Sequence, residues 1–225
     1  MKLLVSDYDS TIKIDSLFKN PYIPNGTISS ILEFMNGGNK FMIATARPYD
    51  SIISEVNKYN IPYDFLSVLN GTVIYDKNGI IYSKDMIYLD IDSFYKLYSC
   101  INKIELVKDN DRLLYYIFMT KFLKCSKSLI NDLKGYNLDI QSWFLNTYNI
   151  VRPISNKIDS VRYVQELLGI DDDSVITIGD DTDDINMIRE YNGYGILKFP
   201  LNIDVYRSSH NHVKSLYDLL KIKNI

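Results

Sequence analysis

The sequence predicts an α/β fold in which a doubly wound, Rossmann-like parallel sheet carries an inserted α+β domain. In residues 1–82, and again in residues 155–225, short apolar runs alternate with segments whose apolar residues recur at helical spacing. This alternation is typical of a parallel sheet covered by helices. Residues 83–154 have a different periodicity. We therefore expect 1–82 and 155–225 to form one core domain and 83–154 to form a smaller inserted domain.

The first part of the core begins with a short apolar run that an acid ends, as expected for a buried parallel strand. Further runs of this kind follow, and the last two are joined by Lys77-Asn78-Gly79, which predicts a hairpin. The predicted strands are Lys2–Ser6, Lys40–Ala44, Phe65–Leu69, Val73–Tyr75 and Ile80–Tyr82. The predicted helices are Thr27–Asn36, which a glycine pair ends, and a helix that begins at Pro48 and runs to Tyr59.

The insert combines helical and strand patterns without the regular alternation of the core. Its predicted helices are Asp92–Lys103 and Lys124–Lys134. Its predicted strands are Leu113–Met119, Leu138–Gln141 and Thr147–Arg152. Most aromatic residues of the insert are expected to form its core. Trp143 and Phe144, near a predicted turn, are the ones that we most expect to contact a ligand.

The strand–helix alternation resumes after the insert. Segment Lys157–Leu168 has apolar residues at helical spacing and predicts a helix that ends at Gly169. The other predicted helices are Thr182–Tyr191 and Val213–Ile222, and the predicted strands are Ser174–Ile178 and Gly195–Leu197.

Composition and charge exclude several classes of protein. The chain has 225 residues and a net charge of −3, which argues against a nucleic-acid-binding surface. It has no apolar run of about 18 residues, so we expect no membrane-spanning helix. Its first apolar run is too short for a signal peptide. Two cysteines, Cys100 and Cys125, are too few for a disulfide scaffold or a zinc site, and free thiols in a reducing cytoplasm are expected.

One feature of the composition is unusual: 23 of the 28 acidic residues are aspartates. Aspartate is the poorer helix former, so the excess reflects either turns or a functional site. Several of these aspartates follow predicted strands, where doubly wound sheets bind their ligands. The segments that follow strands, or that open the helix before one, are Asp7–Thr11, Thr45–Arg47, Lys157 and Gly179–Asp184.

These residue types together favour phosphate chemistry. Carboxylates that share one sheet edge repel each other unless a cation lies among them, and hard oxygen ligands suit Mg²⁺. A carboxylate can attack phosphorus and form an aspartyl phosphate, while a second carboxyl two residues on protonates the leaving oxygen. Lysine, threonine hydroxyl and backbone N–H groups stabilise the charge on a transferring phosphoryl group.

In their order along the chain, these segments resemble the four motifs of the haloacid dehalogenase (HAD) superfamily of hydrolases. The motif residues are Asp7, Asp9, Thr11, Thr45, Lys157, Gly179, Asp180 and Asp184. An α+β insert between the second and third motifs resembles the type IIB cap of the Cof-like sugar phosphatases. Asn70-Gly71-Thr72 after the third strand also fits this resemblance.

The resemblance implies a role for each motif residue. Asp7 would be the nucleophile and a metal ligand, and Asp9 would be the general acid and base, with its backbone carbonyl as a further ligand. Asp180 would bind Mg²⁺, and Asp184 would ligate the ion or orient its water. Thr45 and Lys157 would bind the phosphoryl group. Ala46 and Arg47 are assigned to substrate binding with Thr45, although Arg47 could instead brace the loop.

The chain also departs from the family pattern. Ala46 and Ile158 stand where glycines are usual, and the last motif has additional carboxylates at Asp181 and Asp183. Either additional carboxylate could bind metal or lie outside the ligand set. The loop at residues 197–202 lacks its usual glycine and asparagine pattern, and the cap is short for its class.

The expected function is that of a cytoplasmic, Mg²⁺-dependent phosphatase that hydrolyses a small phosphomonoester, such as a sugar phosphate or a phosphoglycolate-like acid. A phosphomutase of the same cap class and a non-catalytic protein that binds a phosphometabolite are the alternatives. A phospho-acceptor receiver domain is disfavoured, because it would have no insert of this size. We expect no nucleic-acid or membrane partner, and the oligomeric state and the substrate's identity stay open.

Overall fold

The computed structural model describes residues 1–14, 20–121, 123–143, 147–197 and 202–223, without the side chains of 123–126, 143 and 223. Phe144 and residues 198–201 therefore lie outside the described residues, as does the side chain of Trp143. The chain divides into two compact units. The first comprises Met1–Ile81 and Asn156–Ile225, and the second comprises Tyr82–Ser155.

The first unit contains an eight-stranded sheet. Its strands are β1 (Leu3–Ser6), β2 (Lys40–Ala44), β3 (Phe65–Val68), β4 (Val73–Asp76), β5 (Gly79–Ser83), β10 (Val175–Gly179), β11 (Tyr194–Ile196) and β12 (Asn211–Val213). Their order across the sheet is β12-β11-β10-β1-β2-β3-β4-β5. Six strands from β12 to β3 run parallel, and β4 pairs antiparallel with β3. The predicted α/β class is confirmed.

The helices of this unit follow the strands, as the doubly wound pattern requires. They are α1 (Thr27–Asn36), α2 (Tyr49–Tyr59), α5 (Lys157–Leu168), α6 (Ile185–Glu190), α7 (Ile203–Ser208) and α8 (Leu216–Lys223). Pro48 precedes the first residue of α2, and Gly169 ends α5 in the left-handed conformation. At the start of α5, Asp159 accepts a hydrogen bond from the backbone N–H of Asn156 at 3.3 Å, which satisfies one otherwise unpaired helix donor.

The second unit is an antiparallel sheet with two helices. Its strands are β6 (Ile101–Asp109), β7 (Arg112–Thr120), β8 (Leu138–Trp143) and β9 (Tyr148–Pro153), in the order β6-β7-β9-β8. Its helices are α3 (Ile91–Leu97) and α4 (Leu123–Lys134). Phe94, Tyr116, Phe118 and Leu133 belong to its buried apolar cluster, which gives this unit a core of its own.

The structure corrects the prediction of a helix over Asp92–Lys103. The helix ends at Leu97, and residues from Ile101 onward form β6, which the prediction missed. Phe94, Tyr98, Ile101 and Ile104 recur at helical spacing, which explains the error. Register shifts in the pairing of β6 with β7 interrupt the alternation of side chains that would have indicated a strand.

The C-terminal part of the core also differs from the prediction. The predicted helix Val213–Ile222 begins only at Leu216, because Asn211–Val213 pair with β11 as the edge strand β12. Helix α7 and strand β12 were both missed, since each is short and its apolar residues are too few to show a period.

Two further expectations concern the membrane and the cysteines. Among the described residues, no helix combines the length and the apolar character that crossing a bilayer requires. Cys100 is disulfide-bonded, so the expectation of a free thiol is wrong at this residue.

Gly71 illustrates how closely two segments of the first unit approach each other. Its φ is +89°, and a Cβ placed on it would lie 2.4 Å from the backbone carbonyl oxygen of Asn156. A backbone atom cannot move aside as a flexible side chain can. Only glycine therefore fits between the end of β3 and the start of α5.

We predict that Gly71→Ala destabilises the protein by roughly 3 kcal/mol or more, because the added methyl group meets both backbone strain and a steric clash. Gly38→Ala is the matched control, since Gly38 has φ +79° with no atom within 4 Å of its Cβ position. The control should lose only about 1 kcal/mol from strain. Urea denaturation measures both values, and equal losses would contradict the clash.

Candidate active site

The polar residues after three adjacent strands come together at one edge of the first unit's sheet. Asp7 follows β1, Thr45 follows β2 and Asp180 follows β10. These strands are neighbours and run parallel, so their carboxyl ends lie at the same edge. The backbone N–H of Asp7 extends the ladder by donating to the carbonyl of Ile178 at 3.0 Å. Backbone pairing in the sheet is thus sufficient to bring these three residues to the same edge.

Three aspartates form a buried carboxylate cluster, which we define as Asp7, Asp180 and Asp184. One oxygen from each lies within 4.8 Å of the others, and all three residues are buried. Every donor in this cluster is a carboxylate oxygen, the type that hard divalent cations prefer. The cluster therefore has the chemistry and the spacing to hold such a cation.

The ammonium group of Lys157, the first residue of α5, bridges two members of the carboxylate cluster. Its Nζ donates to Asp7 Oδ1 at 2.6 Å and to Asp184 Oδ1 at 2.7 Å, and its side chain is only 3% exposed. Burial alone would lower the pKa of Lys157, but attraction to Asp184 and Asp7 outweighs it and raises the pKa. The lysine is therefore a permanent positive charge within the cluster.

One lysine does not balance three carboxylates. Burial raises the pKa of Asp7 well above its usual value, and repulsion from Asp184 and Asp180 raises it further, against the opposing attraction of Lys157. The cluster thus has an excess of negative charge that a bound cation would neutralise. This electrostatic imbalance and the all-oxygen donor set both fit a metal site.

Both carboxylate oxygens of Asp184 already contact other groups of the protein. Its Oδ2 accepts hydrogen bonds from the backbone N–H groups of Asp180 and Asp181, at 3.0 and 3.1 Å, while Oδ1 contacts Lys157. Gly179 permits this arrangement, because a Cβ there would lie 2.3 Å from Cγ of Asp184. These contacts suit Asp184 to orienting the loop and a metal-bound water more than to direct ligation.

The structure places the Asp9 side chain apart from the carboxylate cluster, in a fork formed by Arg47. Nε of Arg47 donates to Asp9 Oδ2 at 2.7 Å, and Nη2 donates to Asp9 Oδ1 at 2.6 Å. These hydrogen bonds raise the pKa of Arg47. The side chain of Asp9 is 43% exposed, so the pair lies at the rim of the site.

The loop Thr45-Ala46-Arg47 is held in place by the segment that follows β3. Leu69 donates its N–H to the carbonyl of Arg47, and Asn70 donates its N–H to the carbonyl of Thr45, both at 3.0 Å. Leu69 and Asn70 both have positive φ, near +50°, which is unusual for residues with side chains. Thr45 Oγ1 accepts the N–H of Arg47 at 3.2 Å, and this hydrogen bond does not use its hydroxyl hydrogen.

The additional carboxylates of the last motif do not join the carboxylate cluster. Asp183 Oδ2 accepts a hydrogen bond from Asn70 Nδ2 at 2.7 Å, which links this loop to the end of β3. Asp181 Oδ1 accepts from the N–H of Thr182 at 2.7 Å and from Asn202 Nδ2 at 3.2 Å. Both side chains thus have partners that organise the loop.

The structure also shows the contacts of Thr11 and Asn70, which could not be predicted from the sequence. Thr11 donates its hydroxyl hydrogen to Asp180 Oδ1 at 3.0 Å, and Asn70 links Asp183 to the Thr45 loop. Thr11 belongs to the first motif and Asn70 to the Asn-Gly-Thr segment, so both had a signal. Their partners could not be assigned, because they are distant in sequence.

Comparisons with known proteins identify the family and the fold of this chain. The family model for haloacid dehalogenase-like hydrolases matches residues 4–129 and 99–197. A protein of Mycoplasma capricolum with no assigned function is 25% identical, over 84% of this chain and 88% of its own length. A protein of Buchnera aphidicola with the provisional name of phosphatase is also 25% identical, over 83% of this chain and 82% of its own length.

Several solved structures have the same fold over the whole chain. TM0651 from Thermotoga maritima has a TM-score of 0.79 at 15% identity, with 98% of this chain and 97% of that chain covered. BT4131, described as a HAD subclass IIB sugar phosphatase, has a TM-score of 0.69 at 16% identity, with 100% and 98% covered. A protein from Plasmodium vivax that is provisionally described as a HAD/COF-like hydrolase has a TM-score of 0.70 at 18% identity, with 98% and 94% covered. Since the family model spans well over half of the sequence, the chain belongs to the haloacid dehalogenase-like hydrolases, and its fold is the Cof-like form of that family.

Proposed function

We propose that the protein is a Mg²⁺-dependent phosphatase that hydrolyses a small phosphomonoester through an aspartyl-phosphate intermediate. The observation that carries this proposal is the buried ammonium of Lys157 between Asp7 and Asp184, beside Asp180. A fixed positive charge next to a carboxylate nucleophile stabilises a transferring phosphoryl group. A merely structural ion pair would not need two further carboxylates at the same place.

In the first step, a carboxylate oxygen of Asp7 attacks phosphorus, and the bond between phosphorus and the leaving oxygen breaks. The leaving oxygen takes the proton of the Asp9 carboxyl and departs as an alcohol. Lys157 balances charge on the phosphoryl oxygens, while the Thr45 hydroxyl and the backbone of Ala46 offer hydrogen-bond donors from the neighbouring loop.

In the second step, the Asp9 carboxylate takes a proton from water as the water oxygen attacks phosphorus. The bond between phosphorus and Asp7 breaks, which releases inorganic phosphate and restores the carboxylate of Asp7. The carboxyl of Asp9 is then protonated, ready for the next substrate. Asp9 thus acts as acid and as base in turn, consistent with its place two residues after the nucleophile.

Asp7, Asp180 and the backbone carbonyl of Asp9 are the groups that would hold Mg²⁺, with Asp184 as a ligand or as the orienting partner of a bound water. When bound, the ion would neutralise charge between the nucleophile and the phosphoryl oxygens. Thr11 fixes one oxygen of Asp180 and thereby directs the carboxylate.

The comparisons support the reaction class more strongly than the substrate. The Buchnera relative carries a provisional phosphatase name, and BT4131 is described as a sugar phosphatase. A sugar phosphate is therefore the first substrate to test, followed by phosphoglycolate-like acids. A phosphomutase reaction would instead transfer the phosphoryl group to a sugar hydroxyl, which product analysis distinguishes from release of inorganic phosphate.

We predict that Asp7→Asn abolishes the Mg²⁺-dependent release of phosphate from a panel of phosphomonoesters, because an amide oxygen cannot form the aspartyl phosphate. Phosphate release by the purified wild-type chain, with Mg²⁺ and with a chelator, is the measurement. Asp64→Asn is the control, since Asp64 pairs with Lys40 outside the site and should retain activity. A wild type without Mg²⁺-dependent turnover, or an active Asp7→Asn variant, would refute the mechanism.

We predict that Lys157→Met lowers turnover by about 100-fold or more, because it removes the charge that balances the phosphoryl group. Without metal, the variant should also lose about 3 kcal/mol of stability, since Asp7 and Asp184 would be left without their buried partner. Added Mg²⁺ should restore part of this stability, because the ion neutralises the same carboxylates.

Urea denaturation with and without Mg²⁺ measures the effect on stability. Lys77→Met, at an exposed hairpin position, is the control and should show neither loss. If Mg²⁺ stabilises the wild type and fails to stabilise Lys157→Met, the ion does not bind among these carboxylates.

A further inference from the structure

Arg47 is held in a defined orientation on three sides. Besides its two hydrogen bonds to Asp9, its Nη1 donates to Ser51 Oγ at 3.3 Å, and its guanidinium lies 5.3 Å from the centre of the Tyr8 ring. The Tyr8 hydroxyl donates in turn to Glu55 at 2.7 Å, which fixes the ring. The guanidinium fork is therefore preorganised, and the Asp9 carboxylate is the anion that occupies it.

This arrangement conflicts with the role of Asp9 in the proposed reaction. Both carboxylate oxygens of Asp9 accept hydrogen bonds from Arg47, so this carboxyl group is oriented by the guanidinium and not by a substrate. Asp9 also lies outside the carboxylate cluster formed by the described residues. Before it can act on a substrate bound at Asp7, its carboxyl must leave the fork.

A phosphoryl group is the natural competitor for this fork. Planar guanidinium groups bind carboxylate and phosphate by the same pair of parallel hydrogen bonds. Arg47 lies on the loop after β2, and β2 pairs with β1, which ends beside Asp7. The loop that carries Arg47 therefore lies beside the loop that carries Asp7, where the phosphoryl group would bind. Because the Arg47–Asp9 pair is partly exposed, it is weak enough to exchange.

We propose that Arg47 exchanges the carboxylate of Asp9 for the phosphoryl group of the substrate, so that binding of phosphate releases the acid. Arg47 thus acts as a phosphate-binding residue that also positions Asp9. This inference rests on the proposed function for the role of Asp9, but the exchange itself is a binding equilibrium that can be measured without turnover.

The exchange predicts that Asp9 and phosphate compete for Arg47. Replacing Asp9 by Asn should therefore tighten the binding of inorganic phosphate, by about fivefold for a partly exposed pair. In an Arg47→Ala background, the same replacement should change phosphate affinity by less than about twofold, because the shared partner is absent. Arg47→Ala alone should weaken phosphate binding.

Isothermal titration of the full chain with inorganic phosphate, in the presence of Mg²⁺, measures the four affinities of this double-mutant cycle. Asp50→Asn is the matched control, since Asp50 is an exposed carboxylate in the first turn of α2, three residues after Arg47. Relief of general repulsion would make Asp50→Asn tighten phosphate binding in both backgrounds. Circular dichroism melting shows whether each variant is folded.

Three results would overturn the exchange. In the first, Asp9→Asn leaves the affinity for phosphate unchanged or makes it weaker. In the second, Asp9→Asn tightens phosphate binding equally with and without Arg47. In the third, no variant binds phosphate. The phosphatase assay is separate from this cycle. If the enzyme turns over but the effect of Asp9→Asn on phosphate binding does not depend on Arg47, the exchange is rejected and the proposed function is retained. If that effect depends on Arg47 but there is no turnover, the exchange is retained and the proposed function is rejected.

Discussion

The buried ammonium of Lys157 is the interaction on which the rest of the site depends. Parallel pairing of β1 with β10 brings Asp7 beside Asp180, and the turn after β10 adds Asp184. Three buried carboxylates at this spacing repel each other, so the arrangement needs a positive charge. Lysine supplies it from the first turn of α5, and its contacts join residues that lie 150 and 27 positions away in sequence.

A second charged pair lies at the rim of the site and has the opposite physical character. Lys157 and its partners are almost fully excluded from water, whereas Arg47 and Asp9 are partly exposed. A buried pair is costly to break, and an exposed pair is not. The site thus combines a permanent cation that organises its carboxylates with an exchangeable cation whose partner depends on which anion is present.

Elements with a strong local pattern were predicted closely, and those defined by distant pairing were not. Strand β1 and helix α5 have continuous apolar or helical periodicity and match the prediction within about two residues. The first three residues of strand β6 were predicted as the end of a helix, and the rest of the strand was missed. Its bulged pairing with β7 hides the strand pattern, while aromatic and apolar residues keep a helical one. The edge strand β12 depends on pairing with β11, which no local pattern records.

The sequence by itself determined the α/β class, the insert and the order of the motifs, because these follow from local periodicity and spacing along the chain. It also placed Asp7, Asp180, Asp184 and Lys157 at strand ends or at a helix start. Only the tertiary structure decided which side chains contact each other. It assigned Lys157 to Asp7 and Asp184, and Arg47 to Asp9, because hydrogen-bond partners depend on strand register and on side-chain direction, which the sequence does not record.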